Sequence, residues 1–204
     1  MKRLTVVIIW VLSLVACEAI VAFSFVHIDV PTALHFWNAR RLAIPLNEAL
    51  GATVVLSAES AVILVVVLAR LVRGHISVFG ETLAIACLTS ICAYGINDHV
   101  MKVFFGVPNP TDVMHGARHS FHLWMGSENS SFPSGHMVLA GAFAGIFMRL
   151  YQASIGPLAA LLLLAAGLLL VGDWHFLSDI IAGTFLGISA GALAGEGRAA
   201  HSER

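Results

Sequence analysis

A histidine and an aspartate near the C-terminal end of the chain are spaced so that they can act as a pair. His175 and Asp179 are four residues apart, which places both side chains on one face of a helix. A carboxylate that accepts a hydrogen bond from one imidazole nitrogen fixes the tautomer and raises the basicity of the other nitrogen. A nucleophilic histidine needs this arrangement. Taken alone, the His-x-x-x-Asp spacing could instead belong to a pair that caps a helix at the membrane interface.

A second histidine follows a motif that can bind an anion. The segment Phe132-Pro133-Ser134-Gly135-His136 predicts the start of a helix, whose first amides lack a backbone partner and carry partial positive charge. Ser134 adds a hydroxyl group, and Gly135 allows the backbone to approach a ligand closely. His136 would then be placed to protonate a leaving oxygen. The alternative is an ordinary serine N-cap beside an unrelated histidine.

A third cluster supplies a cation. Lys102 begins the segment 102–110, which ends in Asn109-Pro110, and its ammonium group can hold a phosphoryl oxygen. Asp98 lies one turn earlier and can pair with it. The alternative is a lysine whose stem lies in lipid while its charge reaches water. Each cluster alone is a weak signal, but the three together predict a phosphoryl-transfer site.

The chain that must position these clusters has the composition of a membrane protein. Of its 204 residues, 58% are hydrophobic and 11% are charged, whereas soluble proteins carry about a quarter charged residues. Six apolar segments approach the roughly 20 residues needed to cross a bilayer, and lipid requires each to be helical. We therefore predict an all-α, single-domain membrane protein over residues 1–204, with six transmembrane helices. The predicted spans are residues 5–25, 49–71, 79–105, 134–150, 155–172 and 176–195. The first is too long for a signal-peptide core and is expected to remain as a helix.

Two segments interrupt the apolar pattern. Residues 27–48 contain two prolines, Trp37 and two arginines, and they predict a short amphipathic helix along the membrane interface. Residues 106–133 are rich in His, Asn, Ser and Pro, and they predict a polar loop.

The distribution of positive charge predicts the orientation of the helices. With the N-terminus inside, seven of the eleven lysines and arginines lie on the inner side and four on the outer side, as the positive-inside rule favours. The inner ones are Lys2, Arg3, Arg70, Arg73, Arg149, Arg198 and Arg204, and the outer ones are Arg40, Arg41, Lys102 and Arg118. This topology brings Lys102, His136 and His175 to the outer face, so that residues more than seventy positions apart can form one site.

In type and order, the three clusters resemble the type 2 phosphatidic acid phosphatase superfamily of membrane lipid phosphatases. Its pattern is Lys-x6-Arg-Pro, then Pro-Ser-Gly-His, then Ser-Arg-x5-His-x3-Asp, and the resemblance runs from Lys102 to Asp179. It implies that His175 attacks phosphorus and forms a phosphohistidine, with His136 as general acid and Asp179 as the supporting carboxylate. It also implies phosphate binding by Lys102, Ser134 and Gly135.

The arginines of that pattern are missing. Asn109 stands in place of the first, and Leu168 and Leu169 replace the Ser-Arg pair. Val107 occupies a position where many members have a further arginine. Arginine binds the equatorial oxygens of a phosphoryl group bidentately, and each charge-assisted hydrogen bond contributes about 1.5–3 kcal/mol. Losing two arginines without replacement is enough to slow turnover by several orders of magnitude.

Three outcomes are compatible with these losses. Other groups can rebuild the phosphate clamp, and we include Asn109 and the nearby Arg118 among the predicted phosphate-binding residues for this reason. The protein can instead be a headgroup transferase that uses an alcohol acceptor in place of water, as in the related sphingomyelin-synthase-like enzymes. Or it is a catalytically weak relative that binds a lipid phosphate.

Other polar residues have weaker interpretations. His115, His119 and His122 are spaced to share one helical face and could hold a metal ion, but we favour interfacial histidines without a metal. Glu18 and Glu59 fall inside predicted spans, where they either contact a headgroup, relay protons or form a neutral hydrogen bond in the bundle.

The sequence therefore predicts a membrane lipid phosphate phosphatase whose site faces the outside, as in the periplasm beside a bacterial inner membrane. The expected substrate is phosphatidic acid, phosphatidylglycerol phosphate or a polyprenyl diphosphate. The expected mechanism needs no metal or other cofactor, because His175 supplies the nucleophile. We expect membrane lipid and a lipid phosphate as partners, and no nucleic acid; the oligomeric state is left open.

Overall fold

The structure of the protein, a computed structural model, describes residues 2–38 and 51–202. The described residues are 79% helix and contain no strand, which confirms the predicted all-α class. The helices are α1 (Lys2–His27), α2 (Asp29–Phe36), α3 (Ala52–Arg73), α4 (Val78–Ile96), α5 (Lys102–Phe105), α6 (Pro110–Met114), α7 (Gly135–Leu150), α8 (Ile155–Val171) and α9 (Leu177–Ser202). A π-helical turn at Asn97–Met101 joins α4 to α5, and a 3₁₀ turn at Gln152–Ser154 precedes α8.

Five of the described helices are long and apolar enough to cross a membrane, so the predicted count of six is confirmed in part. They are α1, α3, α4 with its continuation, α8 with its 3₁₀ turn, and α9. The remaining predicted span coincides with α7, which is apolar but has 16 residues. At 1.5 Å per residue it is about 24 Å long, shorter than the ~30 Å hydrocarbon core.

The predicted interfacial segment, residues 27–48, is only partly described. Its first part contains α2, an eight-residue helix that begins directly after the first span. Residues 39–50, which include Arg40, Arg41 and the start of the predicted second span, lie outside the described residues. The predicted polar loop is largely irregular and contains the short helix α6.

Helices α7 and α9 pack through glycines spaced four residues apart. A Cβ atom on Gly145 would lie 2.6 Å from the carbonyl oxygen of Ile188, and one on Gly187 would lie 2.6 Å from that of Val138. No real side chain tolerates such distances, so the backbones are in direct contact, as in membrane helices with small residues at their interface. Gly183 extends the contact to the start of α7, because a Cβ there would lie 2.5 Å from the Ser134 carbonyl oxygen.

Enlarging this glycine contact is expected to destabilise the protein. Gly187→Ala forces α7 and α9 apart and should lower the stability by about 1–3 kcal/mol, the usual cost of overpacking. Gly167 in α8 is the matched control, because a Cβ there meets nothing within 4 Å. Melting curves in detergent should show a lower transition temperature for Gly187→Ala only. Equal transitions for the two variants would contradict the close contact.

Apolar side chains cover much of the outer surface of the long helices. Leu71 and Val72 on α3 and Leu163 on α8 are each more than 70% exposed. A water-soluble chain seldom exposes a continuous surface of this kind. Together with the helix lengths, it is compatible with an integral membrane protein.

Candidate active site

A cavity of about 310 Å³ opens where α5, α6, α7 and the start of α9 meet. We call it the site cavity. Its walls combine predicted catalytic and phosphate-binding residues with backbone and hydroxyl groups of the polar loop. The lining residues are Lys102, Asn109, Pro110, Thr111, Asp112, Asn129, Ser130, Ser131, His136, Asp173, Trp174 and His175.

His175 and Asp179 are brought together at the start of α9. The His175 Nδ1 atom lies 3.5 Å from Asp179 Oδ2, and the two side chains are 9% and 0% exposed. The same Asp179 oxygen accepts the backbone N–H of Phe176 at 2.9 Å, as an acidic residue does in the first turn of a helix. Because Nδ1 is the nitrogen nearer to the carboxylate, Nε2 is the nitrogen left for chemistry.

His136 is the second residue of α7, as the helix-start motif predicted. Its ring centroid lies 5.7 Å from that of His175 and 5.9 Å from that of Trp174. The His136 Nε2 atom is buried and makes no hydrogen bond within the described part of the chain. Buried polar atoms normally have a partner, so an imidazole nitrogen of this kind is suited to a ligand group.

Lys102 is buried, and its charge is balanced by a neighbour. Its Nζ lies 2.6 Å from Asp98 Oδ1 and donates to the Glu128 carbonyl at 2.9 Å. Asp98 is part of the π-helical turn that leads into α5, and such turns are frequent at functional sites. The pairing with Asp98 considered from the sequence is therefore present, and the ammonium group still lines the site cavity.

Ser134 and Gly135 are close to the site cavity but are not among its lining residues. The Ser134 hydroxyl caps α7 by accepting the Met137 N–H at 3.5 Å, and the Ser134 N–H donates to the Asp179 carbonyl at 3.0 Å. A Cβ on Gly135 would lie 2.8 Å from the ring of Tyr94. Their visible contacts hold α7 against α9 and α4, and phosphate binding by these two residues stays a prediction.

The positions that lack the expected arginines have other contacts. Asn109 lines the site cavity and caps α6, with its side-chain oxygen accepting the Asp112 N–H at 2.8 Å. Leu169 is 4% exposed and packs with Met137 and Ile180 in an apolar cluster. Arg118, the predicted replacement, is exposed and is not among the residues lining the site cavity. Its role in binding phosphate stays a prediction that Arg118→Ala tests.

The three loop histidines do not share a helical face, because residues 115–122 form turns and irregular backbone. The His119 ring stacks on Phe25 at 4.1 Å, and His122 Nε2 is 3.1 Å from the Ser120 hydroxyl. His115 lies against Trp37, with 5.8 Å between ring centroids. In the chain as described, no group of three or more His, Cys, Asp or Glu residues could hold a metal ion.

The two carboxylates predicted inside the membrane differ in their surroundings. Glu18 on α1 is exposed on the outer surface of the helices. Glu59 on α3 is 8% exposed and lies beside Ser90 of α4. Only Glu59 therefore has the interior position that charged residues in membrane helices usually take.

Sequence reasoning missed one buried carboxylate beside the site. Asp29, the first residue of α2, is 1% exposed and accepts two hydrogen bonds from Ser178, from the N–H at 3.0 Å and from the hydroxyl at 2.5 Å. His119 Nε2 lies 3.6 Å from the same carboxylate. Its position directly after a predicted span, on the face that holds the other clusters, was the available signal.

Burial also changes the titration of these two groups. Desolvation raises the pKa of Asp29 from its ordinary value to about 6, although the bonds from Ser178 oppose the shift. Desolvation lowers the pKa of His119, an effect that the neighbouring Asp179 charge partly offsets. At neutral pH the pair is therefore an ionised carboxylate beside a neutral imidazole.

The raised pKa of Asp29 predicts a pH-dependent stability. The folded protein keeps a proton that the unfolded chain releases between pH 3.8 and about 6, so this contribution is fully present below pH 3.8 and lost as pH rises through 6. Asn does not titrate. The free energy of unfolding of the wild type should therefore fall relative to that of Asp29→Asn between pH 4 and pH 7, by at most about 3 kcal/mol, and its transition temperature should fall with it. A parallel pH dependence of the two proteins would contradict the raised pKa.

A second cavity, of about 500 Å³, adjoins the first. It shares Asp112, Asn129 and Ser130 with the site cavity and extends along the polar loop to His115 and His122. A ligand in the site cavity would therefore have room for a further group on the loop side.

Comparison with known proteins gives one match. No curated protein and no solved structure matches the chain significantly. A family model, that of the PAP2 superfamily, matches residues 82–196, which is more than half of the 204 residues. The matched stretch contains Lys102, His136, His175 and Asp179. The chain therefore belongs to the PAP2 superfamily.

Proposed function

We propose that the protein is a membrane lipid phosphate phosphatase that works through a phosphohistidine intermediate. The observation that carries the proposal is the shared cavity: His136, His175 and Lys102 line it together, with 5.7 Å between the two imidazole centroids. A phosphoryl group between the two rings would meet a nucleophile on one side and a proton donor on the other. Family membership favours the same chemistry.

In the first step His175 Nε2 attacks phosphorus and forms an N–P bond while the bond to the leaving oxygen breaks. His136 donates its proton to that oxygen, and the lipid alcohol departs. Asp179 stabilises the positive charge that develops on the His175 ring. Lys102 holds a non-bridging oxygen of the phosphoryl group.

In the second step water replaces the histidine on phosphorus. His136 now takes a proton from the water, and the N–P bond breaks to release inorganic phosphate and free His175. Each proton and electron pair is returned, so the proposed cycle balances with water as the only co-reactant. The substrate would be phosphatidic acid, phosphatidylglycerol phosphate or a polyprenyl diphosphate.

We further propose that α7 is the sixth span and that the site faces the outside, as in a bacterial inner membrane with the site toward the periplasm. A helix of about 24 Å suits this position because α4, α8 and α9 pack around α7. A shielded helix does not have to match the full thickness of the lipid. The chain 1–204 would then be one membrane-embedded domain.

A product assay tests the proposed activity. Purified protein in lipid vesicles is given a lipid with a labelled phosphate, with and without a second lipid alcohol. Release of inorganic phosphate without the alcohol is the expected result, and the His175→Ala variant sets the background. Label that moves only to the added alcohol would replace the phosphatase with a transferase. Binding of the lipid with neither product would leave the third outcome, a catalytically weak lipid-phosphate-binding protein.

The transferase is the second candidate, and the adjoining cavity favours it. The wall formed by Asp112, Asn129 and Ser130 connects the two cavities, so an acceptor alcohol there would lie next to the phosphohistidine. The absence of arginine at positions 109 and 169 also favours a transferase. A headgroup transferase acts on a phosphodiester, which carries less negative charge than a phosphomonoester and needs fewer cations to bind it.

A further inference from the structure

Helix α9, which carries Asp179, begins without one of the usual capping residues. The helix begins at Leu177, so Phe176 occupies the capping position. The first N–H groups of a helix need acceptors, which Ser, Thr, Asp or Asn usually provide at that position. A phenylalanine side chain has no acceptor, and it is 1% exposed, so water does not replace one easily.

Two carboxylates provide the missing acceptors. Asp179, within the first turn, takes the N–H of Phe176 at 2.9 Å. Asp29 takes the N–H of Ser178 at 3.0 Å and the Ser178 hydroxyl at 2.5 Å, although it lies 149 residues away on α2. The cap of α9 is thus supplied by a different helix.

The neighbours of Asp29 keep this contact free of solvent. The His119 ring lies between Phe25 and Phe176, with centroid distances of 4.1 Å and 4.4 Å. Its Nε2 is 3.6 Å from Asp29 Oδ2, and the His119 side chain is 8% exposed. A buried acceptor with two well-formed hydrogen bonds holds its partners more firmly than a solvated one.

We propose that Asp29 is a positioning residue for the histidine–aspartate pair, an inference that rests on the proposed function. Ser178 directly precedes Asp179, and the Asp179 carbonyl accepts the Ser134 N–H at the start of α7. Residues 176–179 therefore set two distances, that between His175 and Asp179 and that between His175 and His136. Asp29 anchors this segment from α2, whereas the Ser134 contact ties it to α7.

The test compares two substitutions of Asp29 with a matched cap elsewhere. Asp29→Ala removes both acceptors. Asp29→Asn keeps an oxygen for the Ser178 N–H, and its amide can donate to the Ser178 hydroxyl. Ser77→Ala is the control, because Ser77 caps α4 through Gly80 N–H at 3.0 Å and is exposed.

For Asp29→Ala we expect kcat on a lipid phosphate to fall about 10–100-fold, the usual effect of losing a supporting contact, with KM nearly unchanged. Asp29→Asn should restore kcat to within about threefold of the wild type, and Ser77→Ala should leave it unchanged. The inference is overturned if Asp29→Ala keeps full kcat, if Asp29→Asn is as slow as Asp29→Ala, or if Ser77→Ala is equally slow.

Amide hydrogen exchange separates this inference from the proposed function. Asp29→Ala should speed exchange at Ser178 by about 2–30-fold, the range expected for a lost cap, and leave Gly80 unchanged. Ser77→Ala should give the reverse pattern. If the wild type releases no phosphate, the proposed function fails on its own. Unchanged exchange at Ser178 would then overturn the anchoring role of Asp29.

Discussion

Replacing His175 with alanine is expected to lower turnover of a lipid phosphate by roughly 10⁴-fold or more, because the proposed nucleophile is lost and water has no equally placed base. The His136, Lys102 and Asp98 side chains remain, so substrate binding should change far less than kcat. The measurement is release of labelled phosphate, together with trapping of the labelled enzyme. A phosphohistidine is labile in acid and stable in alkali, which separates it from a phosphoserine.

The matched control is His75→Ala. His75 is exposed, its Nδ1 lies 3.0 Å from the Arg73 carbonyl, and it lines neither of the two cavities. Its replacement should leave both turnover and the labelled intermediate intact. If His175→Ala still formed an acid-labile phosphoenzyme, the nucleophile would have to be another histidine, and His136 would be the first to test.

The second large effect is expected for His136→Gln. A general acid contributes about 10²–10⁴-fold when the leaving group is a poor one, as a lipid alcohol is. Turnover of the lipid phosphate should therefore fall by that factor. An aryl phosphate with an acidic phenol departs without protonation, so formation of the phosphoenzyme from it should be much less affected.

The two substrates thus distinguish the roles of the two histidines. His175→Ala should fail with both, whereas His136→Gln should be partly rescued by the better leaving group. Equal losses on the lipid and the aryl phosphate would argue that His136 only binds phosphate. The second step gives a further check, because His136→Gln should accumulate the phosphoenzyme when the aryl phosphate is used.

Much of the site was predictable because topology, and not local geometry, brings its parts together. Lys102, His136 and His175 each lie near the end of a helix, and the charge pattern placed these ends on one face. The helix start was local enough to read as well, since α7 begins directly after Ser134 as predicted, although the serine cap itself was only the alternative interpretation. All-helical structure followed from the demands of lipid on the backbone.

What the sequence did not reveal depends on contacts between distant elements. Asp29 looked like an ordinary acidic residue after a span, and only the packing of α2 against the start of α9 makes it an acceptor for Ser178. The spacing of His115, His119 and His122 suggested a helix that does not form, because Gly116, at a positive φ of 103°, interrupts the segment. Such a conformation is available to glycine but is not helical.

The absence of arginine at position 169 also has a structural side that the sequence alone does not show. Leu169 is one of a buried group that includes Met137 and Ile180, so the helices α7, α8 and α9 share an apolar contact. The leucine therefore contributes packing between these helices where the family pattern has a charged group.

The glycine contact between α7 and α9 has a consequence for the enzyme in membranes of different thickness. Helices respond to hydrophobic mismatch by tilting, and helices joined through their backbones tilt together. His136, the proposed general acid, belongs to α7, and Asp179, proposed to support the nucleophile, belongs to α9, so a change of lipid chain length should move both as one rigid piece. The separation of the two imidazoles is then insulated from the bilayer. Lys102 reaches the cavity from α5, and because Gly135 of α7 packs closely against Tyr94 of α4, the α4–α5 side should tilt with the same piece.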